Sequence, residues 1–123
     1  MELHESAEDY LETILKIKDT RGAVRSIDVA TELGFSKPSV SVAMKKLRET
    51  GYITVDPDGS IELTQQGHTA AANVYERHKC LTAFLMSIGV SEQNAKTDAC
   101  KIEHDLSAES FECIKAFFEK QEM

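Results

Sequence analysis

Apolar residues recur as Tyr10, Leu11, Ile14, Leu15 and Ile17, a spacing of three and four that draws one stripe down a helix. Ser6 with Asp9 three residues on reads as its N-cap, so a first helix is expected from Ser6 to about Asp19, before Thr20-Arg21-Gly22 breaks the pattern. Ser26 is expected to cap a short second helix, Ile27 to Leu33, with Val29, Ala30 and Leu33 inward and Gly34 as its end. Ser36 then caps a third helix that reaches Thr50, with Pro38 in the first turn, where its missing N–H costs nothing.

Beyond Gly51 the period changes from helical to extended. Tyr52-Ile53-Thr54-Val55 is a β-branched and aromatic run, Asp56-Pro57-Asp58-Gly59 is a turn, and Ile61-Glu62-Leu63 returns as a second strand, so a hairpin is expected. Thr64 opens a long fourth helix to about Ile88, with Val74, Leu81, Leu85 and Ile88 on one face and Gly89 closing it. Ser91 caps a fifth helix carrying Cys100, Glu103 and His104, and Ser107 caps a sixth with Phe111, Ile114, Phe117 and Phe118. The predicted fold is mainly α: a winged helix-turn-helix over residues 1–63 and a helical domain over 64–123.

Composition narrows the class. With 41% hydrophobic residues and only two prolines and six glycines among 123 residues, the chain is an ordinary folded, helix-leaning protein. No apolar run approaches the roughly 18 to 20 residues that cross a bilayer, and Met1-Glu2-Leu3-His4-Glu5 is unlike a signal peptide, so the expected location is cytoplasmic, without a membrane partner. Three cysteines without a Cys-x-x-Cys pair argue against a disulfide framework and against a thiolate-only zinc site.

The net charge of −7 hides a division. Between Lys16 and Thr50 eight Lys or Arg stand against four acids, a local +4, and the remaining positions carry −11. A basic lobe beside an acidic one suits a protein that holds a polyanion at one end and a cation at the other.

Two short helices joined by a tight glycine turn and followed by a hairpin place the third helix in the major groove of double-stranded DNA, N-terminal turn first. Ser36, Lys37, Pro38, Ser39 and Val42 are then expected at bases or phosphates. The serines can bond a phosphate or a base edge, and Pro38 and Val42 can touch thymine methyls. Arg21, Arg25, Lys45, Lys46 and Arg48 would supply phosphate contacts, which set register and salt dependence. Direct readout by such small side chains is sparse, so DNA shape is expected to contribute.

On a helix, spacings of three and four put Cys100, Glu103 and His104 on one face. A thiolate, a carboxylate and an imidazole converging within one turn call for a positive ion between them. Asp9 and Glu12, three apart on the first helix, point to one side of it, and His78 stands on the fourth. Taken singly, Asp9 could complete a cap, Glu12 could be a solvated charge and His78 a hydrogen-bonded imidazole. Together the six offer O, N and S donors suited to a first-row divalent transition ion.

The chain resembles the diphtheria-toxin-repressor family of metal-dependent regulators, in its short, manganese-responsive form. The resemblance covers nearly the whole length and rests on Glu8-Asp9-Tyr10-Leu11-Glu12, Ser36-Lys37-Pro38-Ser39-Val40-Ser41, Leu63-Thr64-Gln65-Gln66-Gly67, Arg77-His78 and Cys100 through Ser107. It implies a homodimer, a helical dimerisation and metal-binding domain, and Mn(II) or Fe(II) as corepressor, with no organic cofactor. Members with an added SH3-like domain are longer.

By the same resemblance Asp9, Glu12, His78, Glu103 and His104 stand where the manganese type has its ligands. Cys100 stands where that type has glutamate and the iron type cysteine, and the iron type has methionine in place of Asp9. Thr82 and Lys96 occupy positions where the iron type's ancillary site has an acid and a histidine. The chain is therefore a hybrid of the two types.

The expected function is a metal-dependent transcriptional repressor of metal homeostasis genes. Its cation would join the first helix to the helical lobe and so set the spacing of two recognition helices, about one turn of DNA or roughly 34 Å apart. Phe111, Ile114, Phe117 and Phe118 are the expected dimer contact. The alternative is a winged-helix regulator indifferent to metal. A metallohydrolase is disfavoured because there is no His-Glu-x-x-His pair, and a structural zinc module because the donor set is rich in carboxylates. The chain is not expected to be an enzyme.

Overall fold

The computed structural model describes residues 5–122 of the chain. Among the described residues there are six helices and one two-stranded sheet, in the order α1 (Glu5–Arg21), α2 (Ser26–Leu33), α3 (Lys37–Glu49), β1 (Ile53–Val55), β2 (Ile61–Leu63), α4 (Gln65–Ser87), α5 (Glu92–Ile102) and α6 (Ala108–Glu122). The chain divides into two compact units, Met1–Asn73 and Val74–Met123, and the division falls inside α4.

In the first unit the α1 stripe is buried as its spacing requires: Tyr10, Leu11, Ile14, Leu15 and Ile17 meet Val29 and Ala30 of α2 and Val40, Met44 and Leu47 of α3 in one core. Each such aliphatic side chain removed from water contributes about 1.5 to 3 kcal/mol. The wing pairs antiparallel in the register Ile53↔Leu63, Thr54↔Glu62 and Val55↔Ile61, and Ile53 and Ile61 are buried. The Ile61 N–H donates to the Val24 carbonyl at 2.8 Å, which ties the wing to the α1–α2 connection.

Two helix starts differ from expectation. Helix α1 already includes Glu5, so Ser6 lies inside it and does not cap it, and it continues to Arg21 before Gly22 turns at φ 83°. The cap of α2 is Arg25, one residue ahead of Ser26: the Asp28 carboxylate accepts the Arg25 backbone N–H at 2.9 Å, so the bond comes from the third helical position backwards. Ser36, Thr64, Ser91 and Ser107 do cap, each hydroxyl accepting the N–H of the residue three ahead.

Gly67 explains why the opening turns of α4 belong with the wing. A Cβ built there would lie 1.9 Å from the Tyr52 carbonyl oxygen, so the helix approaches the wing's backbone at a distance only glycine allows. That oxygen also accepts the Thr64 N–H at 3.1 Å.

In the second unit Leu81, Ala99 and Phe111 form the buried cluster, with Cys80, Leu106 and Ile114 packed on it. Phe111, expected at a dimer contact, is thus core, because α6 turns that residue towards α4 and α5. Phe117 is 59% exposed and remains on the surface with Ile88. Helix α5 stops at Ile102, so Glu103 and His104 lie in the turn beyond it and not on the helix itself. The cause is local: the Asp105 and Leu106 N–H groups both turn back to the Ile102 carbonyl, at 3.1 and 3.2 Å.

Candidate nucleic-acid interface and metal centre

The first unit presents α3. Ser36 ends a tight connection from Gly34, and its hydroxyl accepts the Ser39 N–H at 3.3 Å while lying 2.8 Å from the Ser39 hydroxyl. Lys37, Pro38, Ser39, Val42, Lys45 and Lys46 are all exposed, and Val42 at 58% is an apolar side chain offered to solvent without a packing reason. Val40, Met44 and Leu47 hold the opposite face in the core, so the helix can move little without unpacking the unit.

Charge is distributed unevenly over this unit. Lys16 lies 3.6 Å from Glu12, Lys18 pairs with Glu62, Arg21 lies 3.9 Å from Asp28 and Arg25 4.0 Å from Asp58. Among the described residues no carboxylate lies within ion-pair distance of Lys37, Lys45, Lys46 or Arg48. The cations of α1 and Arg25, the cap of α2, are therefore partly neutralised, and those of α3 face solvent. Arg25 is exposed beside the wing's turn, where a phosphate contact would have to exchange its Asp58 partner. Such an exposed pair is weak and readily exchanged.

Asp9 and Glu12 stand one turn apart on α1 in this first unit. Asp9 is half-buried and Glu12 buried, an unusual place for a carboxylate and unlike the solvated charge that a surface helix would carry.

The second unit builds a group around Glu103, which is 1% exposed. His78 comes from α4, and its Nδ1 lies 2.9 Å from Glu103 Oε2. His104, the next residue in the turn, has its Nε2 3.4 Å from Glu103 Oε1, and its ring is buried. Cys100, exposed on the last full turn of α5, has its sulfur within 4.8 Å of a Glu103 carboxylate oxygen. The spacing of three between Cys100 and Glu103 still brings them together because the Glu103 N–H keeps its helical bond to the Ala99 carbonyl at 2.9 Å. His104 arrives by the turn and not by helical period.

Glu103 Oε1 accepts no hydrogen bond among the described residues. A buried carboxylate oxygen left without a donor costs several kcal/mol unless a positive charge meets it. Carboxylate, imidazole and thiol donors are also the set a first-row divalent ion takes. The residues present fit such an ion.

Arg77 is a participant whose role the sequence reading did not assign, although the Arg77-His78 pair was part of the resemblance. Its Nη1 donates to the Glu103 and Leu106 carbonyls, both at 3.0 Å, and its guanidinium lies over the Phe111 ring with 5.2 Å to the centroid. Its position immediately before a candidate ligand was the one signal that could have pointed to it.

A winged helix-turn-helix with its cations concentrated on the recognition helix, in a chain that also carries a buried carboxylate and imidazole centre, defines an effector-responsive DNA-binding regulator. Residues 2–61 match the family described as "Iron dependent repressor, N-terminal DNA binding domain", and residues 64–123 match "Iron dependent repressor, metal binding and dimerisation domain". The chain belongs to this iron-dependent, diphtheria-toxin-repressor family of metal-dependent transcriptional regulators, which is not a family of enzymes.

It is 37% identical over 120 residues to an uncharacterised HTH-type transcriptional regulator of Methanocaldococcus jannaschii, covering 96% of each chain. It is 35% identical over 113 residues to the transcriptional regulator MntR of Salmonella typhimurium, covering 92% of this chain and 72% of that one. Among solved structures it resembles a manganese-dependent transcriptional repressor in complex with manganese, at 28% identity and a TM-score of 0.82, covering 89% of this chain and 51% of that chain. The metal-dependent transcriptional regulator MtsR, at 27% identity and a TM-score of 0.85, is matched over 92% of this chain and 53% of that one. The chain spans about half the length of these two solved relatives. Among the described residues no helix is long and apolar enough to cross a membrane.

Proposed function

We propose that this protein is a metal-dependent repressor that binds operator DNA as a homodimer when Mn(II) or Fe(II) is held by Asp9, Glu12, His78, Cys100, Glu103 and His104. The observation that carries the reading is the buried Glu103 carboxylate, flanked by two imidazoles and a thiol, with one oxygen that accepts no hydrogen bond among the described residues. The manganese complex of a solved relative supports the choice of metal class. A bound divalent cation supplies the positive charge that this donor set lacks.

The remaining roles belong to the chain's own residues. Lys37, Lys45, Lys46 and Arg48 meet phosphates, with Arg25 joining when it leaves Asp58. Ser36, Pro38, Ser39 and Val42 meet groove edges and thymine methyls, and all are small enough to let α3 seat deeply. The Cys100 thiol must ionise to serve as a ligand, which a neighbouring cation promotes. Its softness shifts preference towards Fe(II), while Asp9, Glu12 and Glu103 serve Mn(II) equally. The genes controlled would be those of metal homeostasis.

The test is DNA binding by fluorescence anisotropy under anaerobic conditions, with Mn(II), Fe(II), Co(II) or Zn(II) added and with chelator. A coupling of about 1 to 3 kcal/mol tightens binding on the order of 5-fold to 150-fold, and Glu103→Gln should abolish the difference. Cys100→Glu should retain Mn(II) activation and lose the Fe(II) preference. Equal affinity with and without chelator would refute the proposal in favour of a winged-helix regulator indifferent to metal.

A further inference from the structure

The turn that carries Glu103 and His104 is short and has no regular structure of its own. Three of its N–H groups are bonded locally: those of Glu103, Asp105 and Leu106 return to the Ala99 and Ile102 carbonyls. The Glu103 and Leu106 carbonyls reach a more distant partner. At the end of a helix the last C=O groups have no partner in the helix, and something else must supply donors. Here one side chain from another helix does so: Arg77 Nη1 uses its two hydrogens on the Glu103 and Leu106 carbonyls, each at 3.0 Å. The guanidinium also lies over the buried Phe111 ring, a contact that favours this position. Arg77 and His78 are adjacent on α4, so one turn of that helix fixes both an imidazole and the backbone that bears the opposing carboxylate.

We propose that Arg77 is a positioning residue for the metal site: by holding the Glu103 and Leu106 carbonyls it sets where the Glu103 carboxylate and the His104 ring stand relative to His78. This rests on the metal-binding reading above. A group that holds a ligand in place without touching the ion typically changes metal affinity by about 10-fold to 100-fold when removed. Lysine at this position keeps the charge and several hydrogens on one nitrogen but is shorter and has no planar fork, so it should restore part of the effect.

The test uses the full chain and two readouts. Hydrogen exchange of the metal-free protein should show faster exchange at the amides of Glu103 to Leu106 in Arg77→Met, with α1 to α3 unchanged, and intermediate rates in Arg77→Lys. Anaerobic Co(II) titration, followed by the visible ligand-field and thiolate bands, should show a Kd raised about 10-fold to 100-fold in Arg77→Met with altered band shape, and an intermediate Kd in Arg77→Lys. Should Arg77→Met fail to fold, the same comparison is read on Arg77→Lys alone. Wild-type exchange in the turn together with a wild-type Co(II) spectrum and affinity in the variants would overturn the proposal. Absence of any Co(II) binding by the unmodified protein would overturn the metal reading instead, and the exchange measurement would then decide whether Arg77 holds the turn.

Discussion

The salt dependence of DNA binding can be worked from the distribution of ion pairs. Each phosphate neutralised by a protein cation releases counterions and adds about −0.9 to the slope of log K against log salt. Four cations of α3, Lys37, Lys45, Lys46 and Arg48, have no carboxylate within ion-pair distance among the described residues, whereas Lys16, Lys18 and Arg21 of α1 and the cap residue Arg25 are partnered. Two subunits then present eight such charges, and the expected slope is about −7. Raising salt from 50 to 200 mM would weaken binding on the order of 10⁴-fold. The assay is a metal-saturated anisotropy titration at five or six salt concentrations. Lys45→Ala should flatten the slope by about 2 for the dimer and weaken specific and non-specific duplexes alike. Asp58→Asn should act oppositely, releasing Arg25 and steepening the slope towards about −9. A slope shallower than about −4, or one untouched by Lys45→Ala, would refute the assignment of the α3 cations to phosphates.

Three further outcomes follow from the packing and the titrating groups. Gly67→Ala must part the new methyl from the Tyr52 oxygen by more than 1 Å, since it would begin at 1.9 Å and an ordinary carbon–oxygen contact is about 3.3 Å; overpacking and loss of the Thr64 bond should cost about 2 to 3 kcal/mol net of the gain in helix propensity, seen in urea unfolding, and a variant as stable as the parent would contradict the contact. Burial pushes the Cys80 thiol up from its ordinary value, so iodoacetamide at pH 8 should label it well after the exposed Cys113, a difference that disappears in denaturant; equal rates in the folded protein would argue against it. In the wing turn the Ser60 backbone N–H, 3.0 Å from Asp58, together with its hydroxyl and Arg25, holds the Asp58 carboxyl below its usual value. Its stabilising contribution is therefore present above about pH 4 and is lost as pH falls through the lower folded value, which carboxyl chemical shifts would follow; a midpoint at or above the ordinary carboxylate value would refute this.

The elements were legible wherever a local rule decided them. Ser36, Ser91 and Ser107 cap because serine at those places has a free N–H three residues on, and the burial of Ile14, Val40 and Leu81 follows from helical period. Ser6 misled because its pairing with Asp9 satisfies the same rule inside a helix that had already begun, and Ser26 because Asp28 could serve the residue before it. At the candidate centre, sequence put Cys100 and Glu103 together correctly for a helical reason. The part Arg77 plays in the turn after Ile102 was not legible, since its donors come from 26 positions away from Glu103 in the chain. Nor could period alone decide that Phe111 would turn inward while Phe117 stayed exposed.

The Tyr52 carbonyl oxygen has a consequence for redesign. It is the common anchor of the hairpin's root and of the long helix that follows, whereas Asp56 to Ser60 hydrogen-bond among themselves at the opposite extremity, with Asp58 reaching outward to Arg25. A fluorophore-bearing insert can therefore be spliced at Gly59 while the helix downstream keeps its origin. The same insert placed between Gly51 and Ile53 would dislodge that anchor and carry the helix with it.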